Sequence, residues 1–379
     1  MLNALHGLAG WAPLGLPAFV FVVTVVVFFH ELGHFSVARF FKVTVDTFSI
    51  GFGRPVVQWV DKKSTRWKIG WLPLGGYVKF LGDENAVSQQ DRELYERLPP
   101  ELRANTLQGK PLYQRALIVA AGPFANFILT IVIFTIIFMV MGQATLLTTI
   151  GQVMPKSPAA AAGIRAGDTI TSVNGHRVAT FDNLVLTVRA AKGGNLAVEY
   201  VRHGSQQLVH LRVSSVATSN LYGDQIHYTG VGIGPLYADS NARYSPVGPL
   251  TAVGLAANET VGIMETSLTY LWRIVTGQSN TSQLSGVGGI AYASKQAASA
   301  GFTSLFQLIA LISVSIGLIN LFPVPILDGG HLLYYGCEAI LGRPLGERAQ
   351  DVGFRLGLAL VLGLFVLAAW NDLTRLNLF

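Results

Sequence analysis

Leu16–Phe29 reads LPAFVFVVTVVVFF, without a charged residue, and runs directly into His30-Glu31-Leu32-Gly33-His34. An uncharged apolar run of this kind has the composition of a helix crossing a bilayer. In a helix His30 and His34 lie one turn apart on the same face, so both imidazoles can grip one zinc ion. Glu31 follows about 100° round the helix, where its carboxylate can take a proton from a water held by that ion. Three ionisable side chains in lipid are costly unless they face a protein interior or a watered cavity. The pattern therefore predicts a hydrolytic metal centre inside a membrane.

Working outward, the whole chain fits that setting. Of its 379 residues, 51% are hydrophobic and 13% charged, against about 25% charged in soluble domains. The net charge of +6 needs no nucleic-acid partner, since basic loops facing anionic lipid account for it. Cys337 is the only cysteine, which excludes an internal disulfide and a cysteine-rich zinc site. The first segment lacks a basic start and a small-residue cleavage site, so it is expected to be retained rather than removed as a signal peptide.

Four segments can span a bilayer: Leu16–Phe41, Ala116–Met141, Phe302–Phe322 and Val352–Trp370. Met1–Phe41 holds one basic residue, Arg39, whereas Lys42–Arg115 holds twelve of the chain's 27. The positive-inside rule then makes Lys42–Arg115 cytoplasmic, puts both termini outside, and leaves residues 142–301 as a large external region. The zinc motif falls late in an inward-running helix, toward the cytoplasmic side.

The fold class expected is a multi-pass α-helical membrane protein with about four transmembrane helices, a membrane-associated β-hairpin and one external α/β domain. The hairpin is Arg66–Phe80 (RWKIGWLPLGGYVKF), with a Pro-Leu-Gly-Gly turn between β-branched and aromatic flanks. Too apolar for a free loop, it is expected to dip into the membrane beside the active site. There its edge, including Gly75 and Gly76, could pair with an extended substrate. The charge-rich stretch Asp83–Arg103 reads as a solvated linker or surface helix. The external domain is bounded at 146–216. Its run SPAAAAGIRAGDTITSVNGHRV (Ser157–Val178), followed by a helical stretch and two alternating strands, resembles a PDZ domain of the bacterial protease type. Residues 217–301 read as a linker plus an amphipathic helix over Val247–Thr276 lying on the membrane surface. The chain then divides into 1–145, with the first two spans and the hairpin, 146–216, 217–301, and 302–379, with the last two spans.

A catalytic zinc wants three protein ligands and one open position. Asp328, His331 and Glu338 are the candidates near the later spans. Asp328 ends Asn320-Leu-Phe-Pro-Val-Pro-Ile-Leu-Asp328-Gly-Gly-His331, where Pro323 and Pro325 remove two backbone donors and Gly329-Gly330 let the chain turn. Broken backbone at membrane depth persists only where protein or a water cavity satisfies it, so a carboxylate there is the economical third ligand. His331 is the rival, and a helix-capping role for Asp328 the structural alternative.

Together, HELGH, Gly51-Phe52-Gly53, the WLPLGGYVKF segment, Gly122-Pro123-Phe124-Ala125-Asn126 and NLFPVPILDGGH resemble the site-2 protease family of intramembrane zinc metalloproteases. The similarity runs over nearly the whole chain, to the terminal Asn371-Asp372, and is nearest to the bacterial branch that regulates sigma-E-type envelope stress signalling. The resemblance implies that His30, His34 and Asp328 bind Zn2+, that Glu31 is the catalytic acid/base, and that Asn320 holds the substrate backbone. Asn126 joins Asn320, Gly75 and Gly76 as a candidate substrate contact. It implies a multi-pass protein of the bacterial inner membrane, with the PDZ domain in the periplasm. Its substrate would be a single-span membrane protein, such as an anti-sigma factor already trimmed outside, or remnant signal peptides. The chain departs from the bacterial relatives with two tandem PDZ domains in having room for one, and reads Gly286-Val287 where Gly-Pro is usual. The competing reading is a catalytically inactive, PDZ-bearing membrane scaffold, which would not need HExxH and Asp328 together.

Overall fold

In lipid every backbone N–H and C=O must be satisfied within the segment, so long uncharged runs become helices whatever their intrinsic propensity. In the computed structural model α1 (Leu2–Phe40), α2 (Leu112–Met141), α3 (Pro249–Val275), α4 (Val287–Ala300), α5 (Phe302–Asn320), α6 (Asp328–Leu341) and α7 (Glu347–Arg375) follow one another along the chain. Residues 2–83, 98–190, 194–219, 225–237, 239–278, 281 and 284–375 are described; most of the charge-rich 83–103 stretch, residues 84–97, lies outside them.

Among the described residues, four helical segments are long and apolar enough to cross a membrane: Leu14–Phe40, Leu112–Met141, Phe302–Asn320 and Arg348–Thr374. At 1.5 Å per residue, the 19 residues of α5 make about 29 Å, close to the roughly 30 Å hydrocarbon thickness. Only 6% of the most apolar stretch of α7 is buried by protein. Leu356, Phe365, Val366 and Trp370 stand more than half exposed, a surface suited to lipid rather than water.

The chain divides into two compact units, Met1–Thr135 with Val253–Arg273 and Thr281–Phe379, and Ile136–Ala252 with Ile274–Asn280. In the first, α1 packs against α4, α5 and a curled sheet of β1 (Val45–Val60) and β2 (Arg66–Phe80). The turn of this hairpin is at Asp61–Thr65, not at Pro73–Gly76, which corrects the sequence reading. Asp61 N–H donates to the Thr65 carbonyl, and Asp61 Oδ1 accepts from the Lys63 and Thr65 N–H groups. Arg66–Phe80 is one strand throughout. The strands pair at Val60–Arg66 and again at Val45–Phe80, and Phe48 pairs with both Val78 and Trp67. That folding back requires left-handed backbone at Gly51 and Gly53, with φ of 83° and 84°. Phe35, Phe48, Val78, Phe80 and Ile118 form the core under it, while Val56, Val60 and Trp71 are each over 60% exposed.

Asp61 also ties the hairpin to α1, since its carboxylate takes hydrogen bonds from Arg39 and from Trp67 Nε1, the latter at 3.1 Å. Burial alone would raise its pKa, but the Trp67, Arg39, Lys63 and Thr65 donors win and hold the carboxyl well below the usual range.

Residues 217–301, expected as linker and one helix, hold strands and two helices instead. The second, α4, is rich in glycine and alanine and carries its own anchor. Asp372, near the end of α7, accepts from the Gly289 N–H at 3.0 Å, and Asn371 Nδ2 donates to the Thr281 and Leu284 carbonyls. A carboxylate at a helix N-terminus satisfies an orphan donor and opposes the helix dipole.

The second unit holds β3 (Gln143–Leu146), β4 (Ile150–Val153), β5 (Thr169–Val173), β6 (His176–Arg177), β7 (Asn195–Arg202), β8 (Ser205–Arg212), β9 (Ser214–Ser219), β10 (Gln225–Gly230), β11 (Ile233–Pro235) and β12 (Ala242–Ser245), with the helix Phe181–Ala190 packed on β3, β5 and β10. The main sheet is β6-β5-β7-β8, and β11 pairs β4 while β12 pairs β3. The unit thus takes in strands well beyond Val216. Asn174-Gly175 and His203-Gly204 close two-residue hairpins, each pair with positive φ. Ile150, Ile170, Val173, Leu184, Leu196 and Val198 fill the core.

Candidate active site

His30, Glu31 and His34 project from the last third of α1. The two histidine Nε2 atoms are 3.3 Å apart. Asp328, the first residue of α6, brings Oδ2 to 3.2 Å from His30 Nε2 and 3.5 Å from His34 Nε2. Four-coordinate zinc with bonds of about 2.0–2.1 Å sets ligand atoms about 3.3–3.4 Å apart, and all three separations agree. Asp328 Oδ2 is buried without a hydrogen-bond partner, an arrangement that a cation would satisfy. These residues form the group able to hold a metal ion among the described residues. His331 and Glu338 are not part of it.

The break before α6 is built from the residues that looked unusual in sequence. Leu321, Phe322, Val324 and Pro325 fold back so closely that a Cβ on Gly329 would sit 2.3 Å from the Leu321 carbonyl oxygen, and one on Gly330 2.3 Å from that of Val324. Only glycines admit that approach, and they fix where Asp328 starts its helix. Farther along α6, Glu338 pairs with Arg115 at 2.5 and 3.2 Å, and the Arg115 guanidinium lies 5.0 Å from the Tyr335 ring centroid. This pair ties α6 to the start of α2. Nothing in its 223-residue separation could have announced it.

Around the histidines, His34 Nδ1 meets the Ile118 carbonyl at 2.9 Å. Donating there leaves the Nε2 lone pair for the common centre. Gly122 of α2 packs directly on the same ring. A Cβ on Gly76 of β2 would stand 3.1 Å from Glu31 Cγ, so the sheet packs against the residue expected to move protons.

A cavity of about 330 Å³ opens beside the cluster, lined by His30, Glu31, His34, Asp328 and His331 together with Gly75, Gly76, Tyr77 and Asn320. Of the four expected substrate contacts, Gly75, Gly76 and Asn320 thus share the cavity wall. Asn126 does not: its side chain is fully buried, 3.2 Å from His30 Nδ1.

Residues 18–364 match the model of peptidase family M50. A protein of Agrobacterium fabrum that carries the name of a zinc metalloprotease is 40% identical over 375 residues, covering 99% of this chain and all of the relative. One from Rhizobium meliloti with the same kind of name is 42% identical, covering 95% of this chain and 96% of the relative. The metalloprotease MmpA of Caulobacter vibrioides is 39% identical, covering 96% of each.

Proposed function

The chain belongs to peptidase family M50 and is a zinc metalloprotease, and we propose that it cuts the transmembrane segment of single-span membrane proteins. In this reading His30, His34 and Asp328 hold the zinc and Glu31 is the acid/base. The observation that carries it is the coincidence of three donor atoms 3.2–3.5 Å apart with Glu31 on the wall of one cavity.

Zinc bound there supplies Lewis acidity and a more acidic water. Glu31 takes the proton of the attacking water and returns it to the leaving nitrogen, the two-way use of one carboxylate. Asn320 donates to the oxygen on which negative charge develops, an effect worth roughly 3 kcal/mol in comparable sites. A helical substrate hides its carbonyls, so it must unwind first. The backbone of Gly75–Val78 lies beside the cluster and offers main-chain hydrogen bonds to an extended strand.

The exposed Val56, Val60 and Trp71 favour a hairpin that dips into the membrane. With the basic residues of 42–115 on the cytoplasmic face, the hairpin and cluster lie toward that side of the inner membrane. The second unit is then periplasmic. Its two glycine hairpins and flanking helix support the PDZ reading, acting to exclude substrates with bulky outer domains. Trimmed anti-sigma factors and remnant signal peptides are the substrates with that form.

The test uses two variants of the full chain. Asp328→Ala should lose most bound zinc and all proteolysis, while Glu31→Gln should keep its zinc and stop cutting. Full zinc occupancy in Asp328→Ala sinks the ligand assignment. Cleavage by Glu31→Gln at more than about a tenth of the parent rate removes Glu31 as the base.

A further inference from the structure

Asn126 is fully buried on α2, a helix that reaches His30 across the packed face of α1. Its place is fixed from behind. The Ser313 hydroxyl donates to its backbone carbonyl at 2.9 Å, and the Thr130 hydroxyl lies 3.1 Å from that carbonyl and 3.0 Å from the Ala310 carbonyl. Gly317 leaves room for it, since a Cβ there would stand 3.2 Å from Asn126 Cβ. In this buried, held position the side chain presents Nδ2 to His30 Nδ1 at 3.2 Å, and its Oδ1 has no partner.

A neutral imidazole carries one N–H. When Nε2 of His30 bears it, toward Asp328 at 3.2 Å, Nδ1 accepts from the Asn126 amide N–H. When the Nε2 lone pair is given to a cation, the proton sits on Nδ1 and needs an acceptor. A half-turn of the Asn126 amide then supplies Oδ1, the atom otherwise left unsatisfied. His34 meets the same requirement with the Ile118 main-chain carbonyl. We infer that Asn126 is a positioning residue for His30, setting the ring's tautomer and plane, and not a substrate contact.

The inference rests on the zinc reading of His30, His34 and Asp328. An amide can serve both tautomers, a carboxylate only the metal-binding one, and leucine neither. Zinc affinity is therefore measured by chelator competition on the solubilised full chain, as wild type, Asn126→Asp and Asn126→Leu, with thermal melts of each. Asn126→Leu should bind zinc about 10–100-fold more weakly, the usual loss when a ligand's supporting partner is removed. Asn126→Asp should stay within about threefold of wild type, the acceptor being kept. A role in helix packing alone predicts the opposite order, because leucine fills the site without cost whereas a buried carboxylate does not. Wild-type affinity in Asn126→Leu, or equal losses in both variants, overturns the inference. If Asn126→Asp does not fold, Asn126→Ser supplies a hydroxyl acceptor and must bind more tightly than Asn126→Leu, or the inference falls. Wild type that takes up no zinc, or keeps it in His34→Ala, would instead remove the zinc reading on which this rests.

Discussion

Replacing Gly122 with alanine tests the site through a single methyl group. A Cβ at Gly122 would sit 2.2 Å from His34 Nε2, 2.5 Å from Cε1 and 2.8 Å from Cδ2. Non-bonded heavy atoms are comfortable at about 3.5 Å, so the ring must retreat by roughly 1 Å. Zinc sites tolerate only about 0.2 Å in ligand distance, and His34 is held by its 2.9 Å contact with the Ile118 carbonyl. One of three donors is therefore lost. Disturbing the partner of a ligand costs 10–100-fold in metal affinity, so displacing the ligand itself should cost at least about 100-fold, or some 2.7 kcal/mol. Helix propensity alone predicts the reverse sign, because Gly→Ala inside a helix gains up to about 1 kcal/mol. The assay is a zinc–chelator competition beside cleavage of a model membrane substrate and a melt of the zinc-free protein. Gly122→Ala with the affinity and activity of the parent would refute the placement of His34 against α2.

Gly76→Ala puts a Cβ 2.8 Å from the Ser49 carbonyl oxygen and from Val27 Cγ1, and 3.1 Å from Glu31 Cγ; kcat should fall while bound zinc is unchanged, as metal analysis beside turnover would show. Asp372→Ala removes the acceptor of the Gly289 N–H and should destabilise by about 1 kcal/mol, a usual helix-cap loss, read from denaturation midpoints. In the second unit burial works to raise the Asp168 pKa, but paired bonds from Arg202 and the Arg165 N–H hold it below the usual range. Its stabilisation is therefore complete above the ordinary carboxylate value of about 3.9 and lost as pH falls through the lower folded value. Melts of wild type against Asp168→Asn should differ at neutral pH and converge in that acid window.

The spans were legible because lipid enforces one rule on every residue of a crossing segment, and the rule is visible in composition. The hairpin partner was not. Val45–Val60 is interrupted by Gly51, Gly53 and Pro55, which in a soluble strand would end the pairing. Here two of those positions bend the strand so that it pairs twice. Its outer half carries exposed valines and a tryptophan, so the inside–outside alternation that announces a half-buried strand is missing. The strands beyond Val216 were not legible for another reason: β11 and β12 have three and four residues, too few for a periodic signal. Their partners β4 and β3 lie some 80 to 100 residues earlier in the chain.

His30, Glu31 and His34 could be read together because one helical turn relates them, and Asp328 because two prolines and two glycines mark a broken helix. What α2 contributes could not be read this way, since it acts across space rather than along the chain. Gly33 directly precedes His34, and a Cβ on it would lie 2.2 Å from the Ala121 carbonyl oxygen and 2.8 Å from Ala125 Cβ. Small residues let helix backbones approach closely in lipid, where packing rather than water drives association. The close contact of α1 with α2 at Gly33 therefore lies beside the histidines, where Gly122 meets His34 and Asn126 meets His30. Helix packing and ligand orientation are one constraint here. The glycine and the asparagine of Gly122-Pro123-Phe124-Ala125-Asn126, one turn apart, serve its two sides: one leaves room for an imidazole, the other hydrogen-bonds to one.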